Sequence, residues 1–291
     1  MERRPHGRPA TGDYGQLYGV TAVASNNVWA VGTCSNVSSS TRSTLVEHWD
    51  GRKWSLVSSP TPPVGGQLNT VAALAANNIW AGGSNGSANL IEHYDGTAWS
   101  IVAAPTPQRQ SSIASISAIS ATDIWAVGAG GKYASGEALH WNGQAWSIVA
   151  TPQPFFQGAL RSVVALASNN VWAVGAAQPR TGLSGEVTVI EHWDGTSWTI
   201  VTSPNIAPSV TSNFLSGIAA VSATDIWAVG FYTDSTGTHT LTEHWDGTSW
   251  SNVPSPNGSG AASVLNGVAA TNTGIIVAVG ESGPNGLVLQ A

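Results

Sequence analysis

The residues best suited to chemistry recur as a set. His48, His93, His140, His192 and His244 each sit in one stretch, read as Glu47-His-Trp-Asp-Gly51, Glu92-His-Tyr-Asp-Gly96, Leu139-His-Trp-Asn-Gly143, Glu191-His-Trp-Asp-Gly195 and Glu243-His-Trp-Asp-Gly247. Imidazoles beside carboxylates are raw material for metal sites and for general acid–base catalysis. Carboxylates outside this stretch are sparse. Of sixteen acidic residues, eight belong to it, Asp123 and Asp225 open another repeated stretch, and Glu2, Asp13, Glu137, Glu186, Asp234 and Glu281 remain. A glycosidase needs two carboxyl groups roughly 5–10 Å apart across the sugar bond, so this supply makes such an enzyme the weaker expectation. The single cysteine, Cys34, excludes an internal disulfide framework and any multi-cysteine metal site. No glycine-rich phosphate loop and no nucleophile elbow is present. No catalytic residue, cofactor or metal is therefore expected.

The elements that carry these histidines are copies of one unit. Asn27-Val-Trp-Ala-Val-Gly32 returns as Asn78-Ile-Trp-Ala-Gly-Gly83, Asp123-Ile-Trp-Ala-Val-Gly128, Asn170-Val-Trp-Ala-Val-Gly175 and Asp225-Ile-Trp-Ala-Val-Gly230, with Ile275-Ile-Val-Ala-Val-Gly280 a worn sixth copy. Six residues beyond each histidine stands another tryptophan: Trp54, Trp99, Trp146, Trp198 and Trp250. All fourteen tryptophans fall on three positions of this repeat, the first of them Trp29, Trp80, Trp125, Trp172 and Trp227. A fixed period of this kind decides the fold before any single residue does.

Each unit reads as four short strands, a to d. Strand a is a small-residue stretch such as Leu17–Val23, b is Trp-Ala-Val-Gly, c runs into the histidine, and d opens on the trailing tryptophan. Asp-Gly or Asn-Gly between c and d is a strong hairpin signal. Prolines at 60, 105, 152, 204 and 256 are expected to end strand d. No helix is expected. Four antiparallel strands recurring at this period predict an all-β, six-bladed β-propeller, one domain over residues 1–291, with blades near 17–66, 67–111, 112–158, 159–213, 214–263 and 264–291. Strand c is then third from the centre, and strands lie about 4.8 Å apart. Histidines of neighbouring blades should be on the order of 10 Å or more apart, too far for one zinc with its bonds of about 2.1 Å. They are expected to be buried structural groups, bonded to turn backbone or a neighbouring tryptophan.

The unit resembles the kelch repeat and its galactose-oxidase-like propeller relatives. Trp-Ala-Val-Gly followed by Glu-His-Trp-Asp-Gly-Thr-Ser-Trp keeps that order in five of six units. Only Gly82-Gly83 supplies the kelch double glycine, and tryptophan replaces the usual residue on strand b. The Asp-Gly-Thr-Ser-Trp turn is similar, one residue short, to the Asp-box of sialidase-type propellers, which ranks second. The copper-radical site of galactose oxidase uses a Tyr–Cys crosslink. Cys34 is expected in a b–c loop with no tyrosine to match, so none of that site carries over. The resemblance implies a non-enzymatic binding module, with a protein partner ahead of a glycan. The alternatives are a carbohydrate-active enzyme on the same scaffold and a purely structural fragment.

The sixth unit stops at Leu287-Val-Leu-Gln-Ala291, partway along strand c. Residues 1–16 are positioned to lie beside it as a closing outer strand, although Arg3–Arg8 carries no tryptophan and no alternating apolar residues. A chain cut from a longer array is the rival reading.

What varies between units points to the ligand. From the strand-b marker to the histidine the gaps are 19, 13, 15, 20 and 17, so the b–c loops change while the frame does not. Function concentrates in loops held by a rigid scaffold. One position of strand a reads Tyr18, Asn69, Ala114, Arg161, Ser216 and Asn266. These residues, with Phe155 and Phe156 in a d–a loop, are the candidate ligand contacts; the rival is neutral drift around a solvent-filled channel.

Composition narrows the partners. Charged residues make up 9% of the chain against about 25% in ordinary domains. The net charge is −6 with Lys53 and Lys132 the sole lysines, which argues against nucleic acid. No apolar run approaches the ~20 residues of a membrane helix. A monomer is expected. The sparse charge and abundant tryptophan suit a secreted or surface protein, although no signal peptide is visible.

Overall fold

The computed structural model describes residues 13–36, 42–107, 110–131, 135–152, 155–180, 185–206, 212–260, 262–271 and 273–290. Every helix or strand assigned among them is a strand. The chain divides into two units, residues 1–132 with 138–149, and residues 133–137 with 150–291.

In the first unit, β1 (Asp13–Ala24), β2 (Asn27–Asn36), β3 (Arg42–Trp49) and β4 (Trp54–Leu56) form one antiparallel sheet in sequence order. A second holds β5 (Gln67–Ala75), β6 (Asn78–Ser84), β7 (Asn89–Tyr94) and β8 (Trp99–Val102). The third holds β9 (Ser112–Ser120), β10 (Asp123–Gly130), β11 (Ser135–Trp141) and β12 (Trp146–Val149). The second unit repeats the arrangement with β13 (Phe155–Ala167), β14 (Asn170–Pro179), β15 (Val187–Trp193) and β16 (Trp198–Val201). Next come β17 (Ser212–Ser222), β18 (Asp225–Asp234), β19 (Gly237–Trp245) and β20 (Trp250–Asn252). The sixth sheet has three strands, β21 (Ser263–Ala270), β22 (Ile276–Ser282) and β23 (Asn285–Gln290).

Small differences from the expected borders have local causes. The first five sheets have the four expected strands and the sixth has three, but β13 starts at Phe155, extended by pairing with Pro179 and Gln178 of β14. Phe155 and Phe156 therefore belong to a strand and not to a d–a loop. Cys34 likewise pairs with Gly15 and Ser43 inside the first sheet rather than lying in a b–c loop. Strand d ends before its proline: β16 stops at Val201, and the next turn is held instead by side chains, Asn205 accepting from the Thr188 amide at 2.9 Å. Of the proposed closing segment, Asp13–Gln16 pair with Thr33–Asn36 in the first sheet; residues 1–12 lie outside the described residues.

The tryptophans are the packing between sheets. Trp29 meets Tyr94 and Trp99 of the following sheet at 4.7 and 5.7 Å, and Trp80 meets Trp141 and Trp146 at 5.0 and 5.7 Å. In the second unit Trp172 meets Trp245 and Trp250 at 4.9 and 5.7 Å. Around each pair gathers a cluster such as Leu68, Val71, Ile79 and Leu90, all buried. An indole buries about 150–250 Å², worth at most roughly 4–6 kcal/mol at about 25 cal/mol/Å². A lone four-stranded blade could not bury its tryptophans; stacked sheets can.

Candidate ligand-binding face

In every sheet strand a carries a bulge, and the extra residue is the one that varies. Leu68 pairs with Gly83 and Thr70 with Gly82, so Asn69 has no partner in β6. The same break isolates Tyr18, Ala114, Arg161, Ser216 and Asn266. A bulge re-aims a side chain and ends regular pairing, and bulges collect beside functional sites. The glycine closing Trp-Ala-Val-Gly sits opposite this bulge. A Cβ on Gly83 would collide with the backbone oxygen of Gln67, and one on Gly230 with that of Phe214.

Each unit presents its own set. In the first, the Tyr18 hydroxyl donates to Gln16 at 2.7 Å, and the tyrosine is exposed. Asn69 is occupied: its amide donates to Ser112 Oγ at 3.1 Å and to the Ile113 carbonyl at 2.8 Å, while its oxygen accepts from Gln67 at 2.6 Å. It ties two sheets together. Ala114 is half-buried.

The second unit has the richer chemistry. Arg161 is exposed, with its guanidinium 5.7 Å from the centre of the Phe214 ring. Phe214 stacks on Phe231 of the neighbouring strand at 4.6 Å. Glu186 faces this group. Burial pushes its pKa above the usual value, and the Arg161 charge opposes that rise. Because β17 and β18 pair Asn213 with Tyr232 and Ser212 with Thr233, the start of strand a lies beside the b–c hairpin. There Tyr232 stands 5.0 Å from His239, and Asp234, which accepts from Thr236 and His239, is held down to about 2 mainly by the Thr236 hydroxyl. Ser216 is half-buried and Asn266 is exposed. Phe155 is half-buried and lines a cleft of about 20 Å³ with Gln157, Leu160 and Glu191, room for about one water.

The repeated histidines lie at the other end of each sheet. Each is half-buried and donates Nε2–H to the side chain that opens strand b: His48 to Asn27, His93 to Asn78, His140 to Asp123 and His244 to Asp225, all at 2.9 Å, and His192 to Asn170 at 3.0 Å. That same oxygen accepts the indole N–H of Trp29, Trp80, Trp172 and Trp227 at 2.8 Å. The ring also packs 4.3 Å from the indole in these four sheets. The expectation of buried imidazoles bonded to turn backbone or a neighbouring tryptophan is thus corrected to half-buried rings bonded to an Asn or Asp side chain, because one amide or carboxylate oxygen has lone pairs for both donors.

The acidic members of the motif are buried or bonded within turns. Glu47, Glu92, Glu191 and Glu243 are buried. Burial pushes Glu92 and Glu191 up to about 8 and Glu243 to about 7, where Ser203 opposes the rise by donating at 2.9 Å. Asp95, Asp194 and Asp246 hold the c–d turn, each accepting from a threonine hydroxyl at 2.6 Å and from two amides, which holds them down to about 2. The next glycine takes positive φ, 97° at Gly96.

No protein-family model matches the sequence, and no curated protein matches it. Solved structures do. The chain is similar to YCF48 from Cyanidioschyzon merolae, with 14% identity, 98% of each chain covered and a TM-score of 0.57. It is also similar to the fungal Aleuria aurantia lectin, described as a six-bladed β-propeller with a novel fucose recognition mode, at 12% identity, 95% and 91% coverage and a TM-score of 0.55. The same lectin in complex with Fucα1-6GlcNAc gives 12%, 95% and 91%, and 0.54. The fold is that of a β-propeller, all-β, with six sheets of which the last has three strands.

Proposed function

We propose that the chain is a non-enzymatic binding module, kelch-like in its repeat, that meets a protein or glycan ligand at the bulged strand-a residues and the adjoining b–c loops. The observation that carries this is Arg161 beside the stacked Phe214–Phe231 pair, at a position that holds five residue types over six sheets while the frame repeats. A guanidinium and flat aromatic rings are the side chains that dominate binding hot spots. They suit a peptide segment carrying a carboxylate first and a sugar face second. The similarity to a fucose-binding lectin supports the sugar arm, and the same low-charge, tryptophan-rich composition supports an extracellular setting. Tyr18, Asn266 and Ser216 extend the contact surface within their own units; Asn69 supports it from behind.

The test is a paired peptide and glycan array probed with the wild-type chain and with Arg161→Ala, followed by a hydrolysis assay on any oligosaccharide bound. Wild-type should retain a defined subset, and Arg161→Ala should weaken it by about tenfold, the effect of losing roughly 1.4 kcal/mol. Equal retention by both proteins, or turnover of a bound oligosaccharide, would defeat the reading.

A further inference from the structure

His239 stands outside the repeated histidine motif, on β19 beside the b–c turn of the fifth sheet, and both nitrogens of its ring have partners of fixed sense. Asn257, in the segment that follows β20, accepts the Thr240 amide at 2.8 Å and the Thr240 hydroxyl at 3.2 Å on Oδ1. A backbone N–H can only donate, so this bond fixes which way the Asn257 amide points. Its Nδ2, a donor, then lies 3.3 Å from His239 Nδ1. On the other side His239 Nε2 lies 3.1 Å from Asp234 Oδ1 and 2.9 Å from Thr236 Oγ1, whose own proton goes to Asp234 at 2.6 Å. Nε2 therefore donates and Nδ1 accepts. The ring that satisfies this set is the neutral Nε2–H tautomer.

The clamp on strand c recurs, and the histidine beside it does not. Thr61 accepts from the Thr44 amide and Thr106 from the Asn89 amide, both at 3.3 Å, and Asn205 accepts from the Thr188 amide at 2.9 Å. Before those three strand residues stand Ser43, Ala88 and Val187, none of them an acid or a base; before Thr240 stands His239. Protonation sets an Nδ1–H against the Asn257 amide hydrogens. Turning the amide over relieves that conflict only by setting the same hydrogens against the Thr240 N–H. One of the two bonds is lost either way. The charged group at the ring is Asp234, and Tyr232 lies across its face at 5.0 Å. β17 and β21, which pack against β19, carry no titratable side chain, nor do β20 and residues 253–260. Glu243 and His244, on β19 itself, lie towards the other end of the sheet, as does Asp225, which accepts from His244. Asp234 accepts from the ring in either charge state, so the conflict falls on Asn257 alone.

We propose that neutral His239 latches the segment around Asn257 to the b–c hairpin of the fifth sheet, and that protonation of the ring releases it. Imidazoles change charge between about pH 5 and 8, so the two loops are tied above that range and separate below it. The latch stands on its own geometry. Its bearing on a ligand, which meets these loops tied or free according to pH, rests on the binding-module reading above.

The test is amide hydrogen exchange of the full chain, read residue by residue by NMR at about pH 8 and about pH 5 and expressed as protection relative to the unfolded rate at each pH. Protection of the Thr240 amide should be about tenfold lower at the acid end, the loss of one hydrogen bond. The Thr188 amide, held by Asn205 beside Val187, should not fall. Asn257→Asp offers acceptors to both Thr240 and a protonated ring, so its Thr240 amide should be better protected in acid than in base. His239→Asn keeps an oxygen near the place of Nδ1 with no titrating group, and the Thr240 difference should vanish. Equal protection of Thr240 in the wild-type chain at both pH values overturns the proposal. So does a matching fall at Thr188, or a fall in Asn257→Asp like that of wild type. The wild-type comparison needs no substitution and no ligand, so its result depends neither on the folding of a variant nor on the outcome of the array.

Discussion

One oxygen at the start of strand b organises the aromatic pair in four of the sheets. Asn170 Oδ1 takes the Trp172 indole N–H at 2.8 Å and the His192 imidazole N–H at 3.0 Å. Deleting it takes the acceptor from the buried Trp172 indole and the half-buried His192 ring. Asn170→Ala should therefore lower stability by about 1–3 kcal/mol, measured by urea denaturation, and an unchanged midpoint would refute the shared-acceptor role. This triad was only half legible in the sequence. The histidine and tryptophan announce themselves by repetition, but Asn27, Asn78 and Asp123 read equally well as ordinary turn residues. Nothing in a linear sequence says that a turn side chain folds back over two strands; the signal was there in its strict two-residue offset from the tryptophan.

At the scale of the element, strand a was legible in an unexpected way. Its variable residue and the invariant Gly of strand b are two sides of one bulge, since the glycine makes room for the backbone displaced beside Asn69 or Ser216. Diversity at that position marked it as a candidate. What the sequence withheld was which members are free: Asn69 is spent on Ser112 and Ile113, whereas Arg161 is exposed. Strand c makes a separate demand. Its glutamates are buried between sheets, and Glu92 and Glu191 are pushed up to about 8 by burial, from an ordinary value near 4.5. A raised carboxyl pKa means the folded chain holds its proton more tightly than the unfolded one. The resulting stability is complete below about pH 4.5 and is lost as pH rises towards 8, at about 1.4 kcal/mol for each pH unit crossed. His48, His93 and His192, whose pKa values burial lowers, act in the opposite sense and cost stability only as pH falls below their ordinary 6.5. The wild-type Tm should fall between about pH 6.5 and 8, where the glutamates act without the opposing histidines. Glu191→Gln should flatten that fall and melt higher at the alkaline end; a slope identical to wild-type would contradict the buried-acid account.

Across the whole molecule, repetition made the fold readable. Six copies of Trp-Ala-Val-Gly or its variant give the sheet count, and Asp-Gly or Asn-Gly turns give the strand borders. The ligand is not readable in the same way, because a repeat advertises what every blade shares and a binding face is built from what they do not. Low identity to both YCF48 and the fungal lectin leaves the site chemistry to this chain's own residues. Binding is proposed at the end of the sheets where strand a starts and the b–c hairpins turn. Hydrogen–deuterium exchange can locate it, comparing the free chain with its complex with the strongest ligand from the array. Protection should gather at residues 160–162, 212–216 and 229–233. Protection confined to the opposite end, at the Asp-Gly turns around residues 95–98, 194–197 and 246–249, would contradict it.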